Sequence, residues 1–168
     1  MKVNLTPLFA LILAACATPV PVTPQVVIPA PSETHSEFFL DKVQVQSREA
    51  SSEARQRNDD YRRALTDELK AALTARNKNL APPPAESIRA KVYFAYSMGV
   101  ANKGARRPAA RVEVRLELVD TGGGGVRYST YTETPIEASL VKSGWTPEAD
   151  ELIRRVLKTA AEDFVSRL

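Results

Sequence analysis

The 168-residue chain has one Cys, Cys16, and one His, His35, and this scarcity bounds its chemistry. Intramolecular disulfides, multi-Cys zinc sites and most His-centred catalytic arrangements are excluded. His35 lies within a Pro-rich segment, which predicts a solvated ring, so the serines gain no general base from it. Two acidic pairs, Asp59-Asp60 and Asp67-Glu68, fall on a predicted helix. Adjacent positions there diverge by about 100° and flanking Arg residues neutralise them, which describes a solvated helix face. Gly122 to Gly125 lacks the Lys-Ser/Thr of a phosphate loop and links two predicted strands, so it reads as a hairpin turn. No catalytic residue, metal ligand or cofactor is expected, and the chain is read as a non-enzyme.

Binding is the chemistry that remains. The segment Ala101 to Pro108 carries Lys103, Arg106 and Arg107 with no acid, the most one-signed stretch in the chain. Its charge suits an acidic protein surface, peptidoglycan carboxylates or anionic lipid. Nucleic acid is not expected, because no aromatic residues are interleaved for base stacking. Trp145 precedes a C-terminal helix, where it either anchors a partner or seals the core edge. Tyr93 and Tyr131, with several Arg, fall on the polar face of predicted strands, a composition suited both to a binding surface and to plain solvent contact.

These residues need a scaffold, and the hydrophobic pattern supplies one. Phe38 to Val45 reads as a short strand with Val43 and Val45 on one face. Ala54, Tyr61, Leu65, Leu69, Ala72 and Leu73 form one apolar stripe on a long helix, opened by Ser51-Ser52-Glu53 and closed before Pro82-Pro83-Pro84. Asn77 and Asn79 are the candidate terminators. Alternation then marks strands through Ile88–Met98, Ala110–Leu118 and Val126–Thr132, with Arg111, Glu113, Arg115 and Glu117 on a wet face opposite Val112, Val114, Leu116 and Leu118. Thr146-Pro147-Glu148 begins a final helix with its stripe at Ile153, Val156, Leu157, Ala160, Phe164 and Leu168. The predicted fold is α+β, in the order β-α-β-β-β-α. It is a two-layer sandwich whose mainly antiparallel four-stranded sheet carries both helices on one face.

The N-terminus reads as an address. Lys2 precedes an apolar run from Leu5 to Ala14, about half the ~20 residues a membrane-spanning helix needs. The run ends in Leu13-Ala14-Ala15-Cys16, which resembles the lipobox of bacterial lipoproteins. The resemblance implies cleavage before Cys16, acylation of its thiol and new amine, and an anchor that does not release. Ala15-Cys16-Ala17 also fits an ordinary small-x-small cleavage, but the position of the lone Cys favours lipidation. Ala17, being no Asp, implies the outer membrane by the sorting rule of enterobacterial lipoproteins, with the domain facing the periplasm. The expected organisation is a signal peptide over 1–15, an acylated Cys and disordered Pro-rich tether over 16–36, and one domain over 37–168. Twenty extended residues would reach about 60 Å.

Element order and lipobox together resemble small lipoproteins with a polar or Pro-rich leader and one α+β domain, including the YajG-like family and the LpoB-like activators of peptidoglycan synthases. The likeness spans about Phe38 to Leu168 and implies an accessory or assembly subunit that binds another envelope protein. Regulation of a peptidoglycan synthase reached through the tether is the alternative, and a carboxylate-based envelope hydrolase a further one.

Overall fold

The computed structural model describes residues 22–28, 36–47, 51–82, 86–96, 110–120, 124–136 and 146–168. Its strands are β1 (Gln25–Ile28), β2 (Glu37–Ser47), β3 (Asn79–Leu80), β4 (Glu86–Tyr96), β5 (Ala110–Val119) and β6 (Val126–Ile136). The helices are α1 (Ser52–Ala75) and α2 (Pro147–Ser166).

Both helices start where their capping residues dictate. Ser51 Oγ accepts from the Ala54 amide at 3.1 Å, and Thr146 Oγ1 accepts from the Ala149 amide at 3.3 Å, each satisfying an amide that has no partner within its helix. The first-turn acids Glu53 and Glu148 are held below the usual carboxylate range, first by backbone N–H groups and then by neighbouring hydroxyls, Ser52 and the cap Ser51 for Glu53 and the cap Thr146 for Glu148. The end of α1 depends on Asn77, whose φ of 56° turns the chain left-handed. There the Asn77 amide donates to Thr74 O at 3.1 Å and the Lys78 amide to Leu73 O at 3.0 Å, a Schellman arrangement.

The sheet corrects the expected architecture. It has six strands in the order β1-β6-β5-β4-β2-β3, where a mainly antiparallel four-stranded sheet was expected. The meander β4-β5-β6 is antiparallel throughout. Strand β2, however, lies parallel to β4. The 24 residues of α1 span about 36 Å at 1.5 Å each, matching an 11-residue strand at ~3.3 Å each, so α1 returns the chain to the end where β2 began. Parallel pairing follows from that crossover.

Two short strands complete the edges. After α1, the Asn79 amide donates to Ser36 O at 2.8 Å and the Ala81 amide to Phe38 O at 2.9 Å, making β3 a two-residue parallel neighbour of β2. At the other edge β1 pairs antiparallel with β6. Those residues fall in the segment expected to be a disordered tether. Gln-Val-Val-Ile is a Pro-free window between Pro24 and Pro29, and its β-branched residues suit a strand.

Both helices pack on one sheet face and against each other, as expected. Tyr61, Leu65, Leu69 and Leu73 of α1 and Ile153, Val156, Leu157, Ala160 and Phe164 of α2 meet Phe38, Val45, Ile88, Val112, Val114, Leu116, Leu118, Tyr128 and Ile136 in one core. Tyr128 stacks on Phe164 with ring centroids 4.9 Å apart. The Arg154 guanidinium, paired with Asp150 at 2.8 Å, lies 5.8 Å from the centroid of the Tyr61 ring and ties α2 to α1. At the far end of β2, Asn58 Nδ2 donates to Ser47 Oγ at 3.3 Å and fixes α1 over that strand.

Candidate binding face

The sheet surface opposite the helices gathers the charged residues of the meander. Because side chains alternate along a strand, the residues flanking Val112, Val114 and Leu116 must all point away from the core. Register then decides which of them meet. Glu113 stands opposite Glu133, Arg115 opposite Tyr131, and Glu117 opposite Ser129 on one side and Arg89 on the other.

Two carboxylates directly across strands repel unless cations or donors lie between them. Arg111 supplies the cation: its Nε is 2.6 Å from Glu113 Oε1 and its Nη1 3.7 Å from Glu133 Oε1. The Tyr131 hydroxyl donates to Glu133 Oε2 at 2.9 Å. That phenol is pushed above its ordinary range, first by burial and then by its hydrogen bond to Glu133 and the charges of both glutamates. Further along the face Arg115 pairs with Glu117 at 3.0 Å, and Arg89 with Asp41 at 2.8 Å. The result is a lattice of interleaved Arg and carboxylate with Tyr131 inside it. Its exposed pairs contribute about 0–1 kcal/mol each, so it adds little stability for the number of ordered side chains. Chemically it presents guanidinium forks and carboxylate acceptors side by side, suited to a partner with matching alternate charges.

One part of this face is drier than expected. Glu117 is 9% exposed, against the wet position that alternation predicted, and Ser129 opposite it is fully buried. Arg115 is paired with Glu117, and β1 places Ile28 beside Ser129 in register. An added edge strand therefore shields a position that the meander alone would leave open.

The sequence-predicted site residues separate. Tyr131 belongs to the lattice. Tyr93 stands opposite Glu113 in register, but its side chain lies outside the described residues. Lys103, Arg106, Arg107, Trp145 and Cys16 lie outside them altogether. The Glu113–Glu133 pair was missed, because strand spacing shows which face a residue takes but not which residue it meets. Elsewhere, a shallow groove on the helix layer is lined by Glu68, Ala71, Ala72 and Ala75 of α1 with Lys158 and Glu162 of α2, small side chains beside an ion pair at 4.0 Å. Among the described residues no three metal-ligating side chains converge, and no helix is long and apolar enough to cross a membrane.

The architecture defines a two-layer α+β sandwich with a mixed sheet, both helices on one face and an Arg–carboxylate lattice on the other. No family model matches the chain, and no curated protein matches it in sequence. Among solved structures it is similar to the PelC dodecamer from Paraburkholderia phytofirmans, with a TM-score of 0.51, 15% identity, and coverage of 88% of this chain and 100% of that one. A variant of that PelC dodecamer gives a TM-score of 0.46 at 19% identity, covering 84% of this chain and 98% of that one. A minor lipoprotein from Acinetobacter baumannii gives 0.39 at 14% identity, covering 78% and 90%. The first likeness establishes a shared fold and the other two carry no argument.

Proposed function

We propose that this protein is a lipid-anchored, non-enzymatic accessory subunit of the cell envelope, acylated at Cys16, held at the outer membrane with its domain in the periplasm, and built into a larger assembly. The lipobox-like Leu13-Ala14-Ala15-Cys16 supports the anchor. PelC, similar in fold, forms a dodecamer, which supports reading this domain as an assembly subunit. The Arg–carboxylate lattice offers the partner a surface.

The observation that carries this reading is the position of β1. With Gln25–Ile28 fixed to the sheet, residues 17–24 alone separate the anchor from the domain. Eight residues at ~3.1 Å each reach about 25 Å, less than half of the ~60 Å a free leader would span. Such a domain stays close to the lipid headgroups. This favours partners at the membrane surface over a synthase reached through the wall.

Two measurements test the proposal. Metabolic labelling with palmitate should mark the wild type and not Cys16→Ser, since a hydroxyl does not replace the thiol in lipid transfer; equal label in both would refute the anchor. Extraction in mild detergent, with light scattering and mass spectrometry of co-eluting chains, should give an assembly heavier than one chain. A lone monomer without companions would refute the subunit reading.

A further inference from the structure

The four large hydrophobic residues exposed among the described residues all lie at the two ends of the strand order. Val26 and Val27 of β1, 42% and 51% exposed, mark one edge together with Val126 of the adjoining β6. Leu80 of β3, 43% exposed, marks the other. An outer strand presents unpaired N–H and C=O groups, and apolar side chains upon it make it a template for pairing with another chain.

The second edge is only partly filled. β3 pairs with Glu37 and Phe38 alone, and among the described residues no strand lies beside the rest of β2, up to Ser47. Register sets this vacancy level with β1. One row of partners crosses the sheet from Val26 through Thr130, Leu116 and Ala90 to Val43, and the rows on either side run from Gln25 to Gln44 and from Ile28 to Lys42. Leu116 belongs to the core, so Val26 and Val43 both stand on the helix side of the sheet, and Val43 is only partly buried against that core. Strand direction fits as well. β6 runs with β4 and β2, and β1 runs against them. A copy placed beside the first in the same orientation and at the same height therefore brings β1 antiparallel to the vacant side of β2, with Val26 opposite Val43.

We propose that the free side of β1 pairs with the vacant side of β2 in a second copy of this chain, while β1 stays on its own β6; this rests on the assembly reading and names its partner. The joint continues both layers, because it adds a strand pair to the sheet and covers Val26 and Val43 with each other on the helix side. Two different edges meet, so the contact is head-to-tail and repeats from copy to copy, closing as a ring or growing as a row. Anchoring holds the copies in one orientation on one surface, which is what the joint requires, and raises their effective concentration.

Paired thiols decide it. Antiparallel neighbours have Cα atoms about 4.5–5.5 Å apart, within disulfide range, whereas within one chain Val26 and Val43 are four strand spacings of ~4.8 Å, or about 19 Å, apart. Any disulfide between these positions therefore joins two copies. Full-length Val26→Cys and Val43→Cys, carrying different tags, are co-expressed in one cell, exported and resolved without reductant; a linked band bearing both tags is expected, and none when Glu133→Cys on the open sheet face replaces Val43→Cys. The double variant, Val26→Cys with Val43→Cys, should give a ladder at successive multiples of one chain. No mixed band and no ladder from exported, folded variants would overturn the joint, and a dimer from Val26→Cys alone in place of the ladder would replace it by a two-fold contact between β1 edges. If the joint fails while the wild type still elutes as an assembly in mild detergent, the assembly reading stands without it; if the wild type elutes as one chain, both fall.

Discussion

Thr132 and Thr134 of β6 face the helices, at 1% and 0% exposure, and neither hydroxyl has a hydrogen-bond partner among the described residues. They stand opposite Val114 and Val112, in the middle of an otherwise apolar face. Burying a hydroxyl without a partner costs about 1–3 kcal/mol, and exchange for an apolar group of the same shape recovers part of that. Thr132→Val and Thr134→Val should therefore each stabilise the domain by about 1 kcal/mol, with valine's strand preference acting in the same direction. The two positions share one face and adjoin, so the double variant should gain up to about 2 kcal/mol, not a strict sum. For a domain of this size that raises Tm by about 8 °C. Thr132→Ser is the control: it keeps the hydroxyl, removes a methyl, and should lower stability by about 1 kcal/mol. Thermal melts and urea titrations of the wild type and these four variants measure the differences. A fall of 1 kcal/mol or so in either Val variant would mean that its hydroxyl is satisfied in the folded protein, and would refute the reasoning.

Three other perturbations test the layers and one buried phenol. Leu116→Asp puts an unpaired carboxylate at a fully buried position and should cost several kcal/mol, enough to prevent folding. Glu117→Lys should cost about 1–3 kcal/mol, because it loses Arg115 and sets a third cation beside Arg115 and Arg89, and melts showing no change there would mean the position is open to water. Tyr128 is pushed up to about 12 by burial first and then by the charge of Asp163, so the fold favours the neutral phenol. Its contribution is complete below the unfolded value near 10 and declines as pH rises toward 12, by up to ~1.4 kcal/mol per pH unit. Urea titrations between pH 9 and 12 should show a shallower decline for Tyr128→Phe than for wild type, and identical slopes would refute the burial of that hydroxyl.

Much of the molecule is legible in local pattern. The caps at Ser51 and Thr146, the stop at Asn77 and the stripes of both helices are determined by residues within a few positions of one another, and the structure places them as expected. Alternation likewise fixed which side of β5 is dry, since that follows from strand geometry alone. What the chain does not encode locally is pairing. Nothing near Phe38 states whether β2 runs parallel to β4. That depends on α1 matching the strand length and returning the chain to the same end. The docking of Gln25–Ile28 depends on an exposed edge some hundred residues away, so a Pro-rich composition read as tether throughout. The same long-range pairing sets Glu113 against Glu133 and covers Ser129, and only the assembled sheet decides those neighbours, because register is a property of two strands and not of either one.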